Sequence, residues 1–309
     1  MPLRLIGYRP ESTPAKRSVA GSSCFASQLR RELSARNRAF AVQRGLPHVE
    51  SYGGLPVVVY RPSDDGACHG NFADPGYAAI LKHAAWRKRL EKVHTQARTS
   101  LPKCDRPWRE LDSCNSSDAL LMNIFCYPGV AEDPRVVSLL GIEAGQLPEF
   151  GVKARVPLAN GLADRTEVDM RLGDLLVEAK LTEADFQSKS IDTVYGYRDF
   201  KTVFHAKLLP KGGGRFLSYQ LIRNVLAAQA SGSSFCVLLD ARRPDLRESW
   251  FAVMRAVRPV ELRLRCKVLT WQELSEALPP ALREFLDLKY GIAAPGCDAS
   301  PIPGIDPAD

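Results

Sequence analysis

Residues 166–180 read TEVDMRLGDLLVEAK, two strand-like runs joined at Gly173-Asp174. In the first, Val168, Met170 and Leu172 alternate with Glu167, Asp169 and Arg171. In the second, Leu176, Glu178 and Lys180 share one face, and Leu175, Val177 and Ala179 share the other. Period-two alternation is what a strand imposes, because successive side chains point to opposite faces. Folded as a hairpin, the stretch projects Asp169, Glu178 and Lys180 towards one patch. Carboxylates and a lysine among apolar strand residues are costly unless they hold a metal or each other.

Outward from the hairpin, the apolar spacing predicts an ordered alternation of elements. Upstream lie a helix starting at Ser116 or Ser117, with Ala119, Leu120, Met122, Ile124 and Phe125 on its apolar side, a short helix at 134–140 and a strand at 151–157. Downstream, residues 187–210 read as irregular and Gly212–Gly214 as a hinge. There follow a helix at 216–230, a strand at 234–240, a helix at 245–256, a strand at 263–270 and a helix at 271–290. Nearer the start, helices are expected at 24–44 and 75–95 and a buried strand at 55–60. The order predicts an α/β fold, a central mixed sheet flanked by helices.

Composition sets limits on function. With 45% hydrophobic and 25% charged residues, the 309-residue chain is that of a soluble globular protein, long enough to bury a sizeable core. No apolar run approaches the roughly 18 residues of a membrane helix, so no membrane partner is expected. Cysteines 24, 68, 104, 114, 126, 236, 266 and 297 form no CxxC pair, and those within apolar runs read as reduced core residues. Zinc spacing is likewise absent around Cys68, His69, Cys104 and Cys114. His83 and His94 read as surface or capping histidines.

Charge is placed unevenly. Residues 1–46 hold nine Lys/Arg against two acids, an excess equal to the chain's whole net charge of +7. This segment reads as a basic N-terminal arm, partly disordered, which is either a solvated tail or an arm that touches phosphates. It is also poor in acids, as transit peptides are, but nothing else in the chain asks for an organelle, and the expected location is cytoplasmic. Residues 293–309, rich in proline, read as a disordered tail.

Asp169 and Glu178 on adjacent strands could hold a divalent ion such as Mg²⁺, with the Ala179 carbonyl as a further oxygen and Lys180 steadying charge on a phosphate. Asp169 followed by Glu178-Ala179-Lys180, between these helices and strands, resembles the PD-(D/E)xK nuclease superfamily in its D…ExK form. More narrowly, ELDSCNSSDALLMNIF (110–125), the hairpin, and FLSYQLIRNVLAA (216–228) resemble an uncharacterised bacterial family of restriction-endonuclease-like proteins.

The resemblance implies a restriction-endonuclease-like core at about 110–290 within a single nuclease domain over 47–292. It implies a metal-dependent, type II-like endonuclease acting on DNA with Mg²⁺ or Mn²⁺, in an assembly that could be a homodimer. Asp169 and Glu178 would be metal ligands and Lys180 the catalytic lysine. Glu110 and Asp118 compete for the acid that relatives carry on the first core helix. In the later helix Gln220 carries over, whereas Asn224 stands where some relatives have Tyr. The competing class is a DNA-binding protein on the same fold without turnover, using the basic arm. Glu167 reads as a partner of Arg171 on a solvated edge, and Ser116, Ser117 and Asn123 as capping and packing groups.

Overall fold

The computed structural model describes residues 20–51, 56–93 and 109–302. In chain order it forms α1 (Ala20–Gln43), β1 (His48–Glu50), β2 (Val58–Tyr60), α2 (Asp74–Lys82), α3 (Ala84–Arg89), a 3₁₀ turn (Glu110–Asp112), α4 (Ser117–Phe125) and α5 (Pro134–Leu140). Next come β3 (Pro148–Lys153), β4 (Val156–Pro157), β5 (Ala163–Asp164), β6 (Glu167–Leu172), β7 (Leu175–Ala179), β8 (Ser188–Ser190), α6 (Ile191–Tyr195) and α7 (Phe200–Val203). The chain continues with β9 (Lys211–Gly212), β10 (Arg215–Leu217), α8 (Tyr219–Ser231), β11 (Ser234–Leu239), α9 (Pro244–Met254), α10 (Val260–Leu264), β12 (Cys266–Thr270), α11 (Trp271–Ser275) and α12 (Pro280–Tyr290).

The central sheet runs β12-β11-β7-β6-β3. β3, β6 and β7 are antiparallel neighbours, while β7, β11 and β12 are parallel. Alternation along β7 and β11 divides the core between the two faces, as the period of a strand requires. Leu176, Phe235, Val237 and Leu239 pack with α8 and α9 through Leu221, Ile222, Val225, Leu246 and Trp250. Met170, Leu172, Leu175, Val177, Cys236 and Leu238 face α1, α4, α5, α11 and α12. Each fully buried Leu, Ile, Val or Phe contributes about 1.5–3 kcal/mol relative to exposure. The result is an α/β sandwich with helices on both sides of a mixed sheet, consistent with a restriction-endonuclease-like core.

α1 is packed on this core. Leu29 and Leu33 join the sheet's second layer, and Phe40 and Ala41 meet β2 and α12. Asn37, fully buried, donates to the Leu33 carbonyl at 2.8 Å and to the Lys289 carbonyl of α12 at 3.0 Å. Lys289 donates back to Asn37 at 2.5 Å and lies 3.8 Å over the Tyr60 ring. Residues 1–19 of the expected arm and 303–309 of the expected tail lie outside the described residues, as do His94 and Cys104, whereas residues 293–302 are described and Ser300 bonds to Arg36 and Asp287.

Several elements differ from their sequence-based expectation. The helix over 75–95 is broken at His83, whose extended backbone ends α2 and whose ring accepts from the Trp86 amide to start α3. The helix over 271–290 divides at Pro279-Pro280, because proline cannot continue a helix. Gly212–Gly214 is no hinge. Gly213 and Gly214, both with positive φ, form the two-residue turn between β9 and β10, a geometry that glycine alone adopts readily. Residues 187–210, expected to be irregular, hold β8, α6 and α7. Glu167 pairs with Arg89 at 3.2 Å, and Arg171 pairs with Glu149 on β3. Same-strand pairing of Glu167 with Arg171 loses because α3 brings Arg89 over the edge. No helix among the described residues is long and apolar enough to cross a membrane.

Candidate active site

The hairpin turns at Gly173-Asp174 with Gly173 at φ 61°. Its register is Leu172↔Leu175, Arg171↔Leu176 and Met170↔Val177. The next position across the ladder is Asp169 opposite Glu178, and there the backbone pairing ends. Asp169 takes over the freed donor: its Oδ2 accepts the Ala179 amide at 2.8 Å. Both acids thus stand on the same face, side by side on neighbouring strands. The end of the ladder is what opens room for their side chains.

Glu178 is 1% exposed and enclosed by donors. Its Oε1 accepts from Lys180 Nζ at 2.7 Å and from Gln220 Nε2 at 2.8 Å. Its Oε2 accepts from Asn224 Nδ2 at 2.7 Å. Gln220 and Asn224 stand one turn apart on α8, so a single helix face grips both oxygens. Lys180 is held from behind: its amide donates to the Leu238 carbonyl, and its carbonyl accepts from Trp271 Nε1 at 3.0 Å.

The charges respond to each other. Burial pushes the Asp169 carboxyl well above the usual carboxylate range, and the nearby charges of Glu178 and Asp118 push it further; Lys180 and the Ala179 amide oppose them in part. For Lys180, burial acts to lower the pKa, but Glu178, Glu183 and Asp169 together outweigh it and raise the ammonium above its ordinary value. Lys180 therefore remains protonated at neutral pH.

The site opens into a cleft of about 660 Å³. Lys180, Gln220, Glu110, Ser117, Glu183 and Arg30 of α1 are among the residues that line it. Arg30 donates to the Thr182 carbonyl at 3.4 Å, and Ser117 donates to Glu183 at 2.6 Å. Buried Arg243 fixes the 181–184 loop by donating to the carbonyls of Leu181, Glu183 and Ala184 while pairing with Asp245 at 2.8 Å.

The structure brings together Asp169, Glu178, Lys180 and Gln220. The two helix-side acids are held differently. Asp118 is turned onto Arg89 and Lys92 at 2.8 and 2.7 Å, yet its charge still reaches Asp169. Glu110 lines the cleft itself and pairs with Lys92 at 3.1 Å. Ser116 caps α4 by accepting from the Ala119 amide, and Asn123 ties α4 to Ala73 and Asn71, which is capping and packing as expected. The sequence reading set Asn224 aside because it stands where some relatives have Tyr, yet its i+4 spacing puts it beside Gln220 on α8 and against Glu178. That reading missed Arg30 and Glu183, which no local pattern marks.

The residues present fit a hard divalent cation in one respect and resist it in another. The Glu178 charge beside Asp169, which raises the proton affinity of Asp169, favours a bound positive charge, and the buried Oε1 of Gln220 has no hydrogen-bond partner. Against this, three donors already satisfy Glu178, so an ion there would displace one of them. Among the described residues no cluster of three or more His, Cys, Asp or Glu could hold a metal. Asp169, Glu178 and the Ala179 carbonyl are thus a sparse donor set of the kind Mg²⁺ accepts, its remaining positions being filled by water. Buried Cys114 and Cys236 offer no alternative, since burial pushes the Cys114 thiol up to about 11 and the Cys236 thiol to about 12.

A family model described as a restriction endonuclease associating with ARP matches residues 35–291. No curated protein and no solved structure matches the chain.

Proposed function

The chain belongs to the family of restriction endonucleases associating with ARP, and we propose that it is a metal-dependent nuclease that hydrolyses phosphodiester bonds in DNA at the Asp169–Glu178–Lys180 site. The observation that carries this reading is the meeting of Asp169 and Glu178 on one face at the end of the β6–β7 ladder, with the Lys180 ammonium 2.7 Å from Glu178. Asp169, Glu178 and the Ala179 carbonyl would hold Mg²⁺ or Mn²⁺, which when bound acidifies a water and offsets phosphate charge. Lys180 keeps its proton, so its part is to donate and to steady negative charge, not to act as the base. Gln220 and Asn224 orient Glu178, and Glu110 or Asp118 supplies the further acid near the cleft. The partner is DNA entering the cleft past Arg30, in the cytoplasm.

A second reading, DNA binding without turnover, is favoured by the saturation of Glu178 by three protein donors. Plasmid incubated with the purified chain and Mg²⁺ separates the two. Cutting by the wild type that is lost in folded Lys180→Ala and Glu178→Gln supports the nuclease; equal cutting by all three would remove these residues from the chemistry. Salt-sensitive binding with no cutting under any divalent ion would favour the binder.

A further inference from the structure

Beside the cleft stands a small three-stranded sheet, β8-β10-β9, backed by α6 and α7. Its register aligns Lys189, Phe216 and Lys211 in one row across the strands. Residues 187–217 carry six Lys/Arg and two acids, and one of those acids, Asp199, is taken by Arg198. Lys189, Lys201 and Lys211 are exposed and have no carboxylate partner among the described residues. Each is instead laid over an aromatic ring: Lys189 over Tyr219, Lys201 over Tyr195 and Lys211 over Phe216, at 5.7, 5.9 and 4.8 Å. Tyr195, Phe200 and Phe216 pack edge to face or tilted at 5.0–6.0 Å between centroids, so the rings under Lys201 and Lys211 belong to one cluster. Lysine stems resting on such a cluster lose less freedom on binding than free ones.

The roots of this sheet are unusual. Among the described residues, the non-glycine residues with positive φ are Gln187 (59°) and Ser218 (56°). They flank the paired Ser188 and Leu217, one at each foot of the sheet. Left-handed backbone costs such residues about 1–3 kcal/mol and persists where the surroundings enforce it. Here the Tyr219 amide donates to the Gln187 carbonyl at 2.9 Å and the Gln220 amide to the Phe186 carbonyl at 3.0 Å. The strained feet seat Gln187 on the cleft wall and Gln220 against Glu178. The sheet is therefore fixed to the reacting end of the molecule.

We propose that this sheet is a wing that grips the phosphate backbone of duplex DNA beside the cleft, through Lys189, Lys201 and Lys211. The inference rests on the nuclease reading and adds to it the surface that holds the duplex. The wing takes DNA by charge and not by base edge, so it positions any sequence and specifies none.

The test is the salt dependence of binding to a fluorescent mixed-sequence DNA duplex, with the full chain in EDTA so that no cutting occurs. The variants are K189A/K201A/K211A and K189R/K201R/K211R, each checked for an unchanged melting temperature. The alanine variant is expected to bind more weakly and to lower the log–log salt slope by about 3, near 0.9 for each phosphate left without its lysine; the arginine variant keeps affinity and slope. If the wild type binds and the alanine variant matches it in affinity and slope, the wing is overturned while the nuclease reading stands. An arginine variant as weak as the alanine variant would assign the lysines to packing and overturn it as well. Failure of the wild type to bind duplex overturns both readings together, whereas binding that weakens in the alanine variant without any plasmid cutting overturns the nuclease reading and leaves the wing.

Discussion

Asn224 donates its side-chain amide to Oε2 of Glu178 at 2.7 Å, across 46 positions of sequence and from the heart of a helix to the centre of a sheet. Its own Oδ1 accepts from Arg223, whose guanidinium also reaches the Glu167 carbonyl. The contact thus ties α8 to both strands of the acid-bearing hairpin. Asn224→Ala is expected to cost about 1–3 kcal/mol, the penalty for leaving a buried acceptor unpaired. Urea denaturation measures it; an unchanged midpoint would mean that Glu178 finds another donor.

Glu178 and Lys180 are 1% and 5% exposed and share one hydrogen bond, so neither is independent of the other. Removing one partner leaves a buried charge uncompensated. Lys180→Met and Glu178→Gln should each destabilise by about 3–5 kcal/mol. The double variant should lose clearly less than the sum of the two. Additive losses in a double-mutant cycle would show that the pair is not coupled.

Asp169 gives the metal-free protein a pH dependence. Burial, with Glu178 and Asp118 nearby, raises its folded pKa above the unfolded value of about 3.9. Its contribution is fully present below that value and is lost as pH rises through the raised folded pKa. Asp169→Asn should therefore melt higher than the wild type at neutral pH, with the gap closing as pH falls to about 4, and should not cut DNA. A gap that widens on acidification would reverse the assigned shift.

A metal held at Asp169, as proposed, would compete with the proton for that carboxylate. The thermal stabilisation by Mg²⁺ should accordingly grow from mildly acidic to neutral pH, and Asp169→Asn should abolish most of it. Scanning calorimetry with and without Mg²⁺ across pH measures this; a pH-independent shift retained in the variant would place the ion elsewhere.

Arg243 is fully buried, and its planar fork spans three carbonyls of the cleft loop as well as Asp245. A lysine keeps the charge and loses the fork. Arg243→Lys is expected to cost at least about 1.5–3 kcal/mol, the worth of one charge-assisted bond. It should also speed amide exchange across residues 181–184 and reduce plasmid cutting with the overall fold intact. Unchanged exchange there would deny the loop its anchor.

The hairpin and its acids were legible because period two and a Gly-Asp turn are local signals. So was the order of the longer strands and helices, since apolar periodicity marks each of them, whereas Gln220 was marked by the family resemblance alone. Breaks within elements were harder. His83 ends one helix by its backbone angles and begins another by capping, which periodicity does not register. The wing sheet read as irregular because strands of two or three residues show no period, and its glycines read as a hinge because glycine serves both roles. Asn224 was set aside because some relatives have Tyr there, and its contact with Glu178 depends on a strand 46 positions away. Glu167 found Arg89 across 78 positions, a pairing set by packing alone.

The bond between Asn37 and Lys289 spans 252 positions, and Arg36 reaches further still, to the Ser300 carbonyl. Such a clasp has a consequence in time. α1 is synthesised well before α12, so the clasp between them closes only after Pro280–Tyr290 has left the ribosome. A chain stalled before Pro280 carries the hairpin carboxylates without the latch that seats α1. Protease should cut α1 readily in such a fragment and spare it in the full chain.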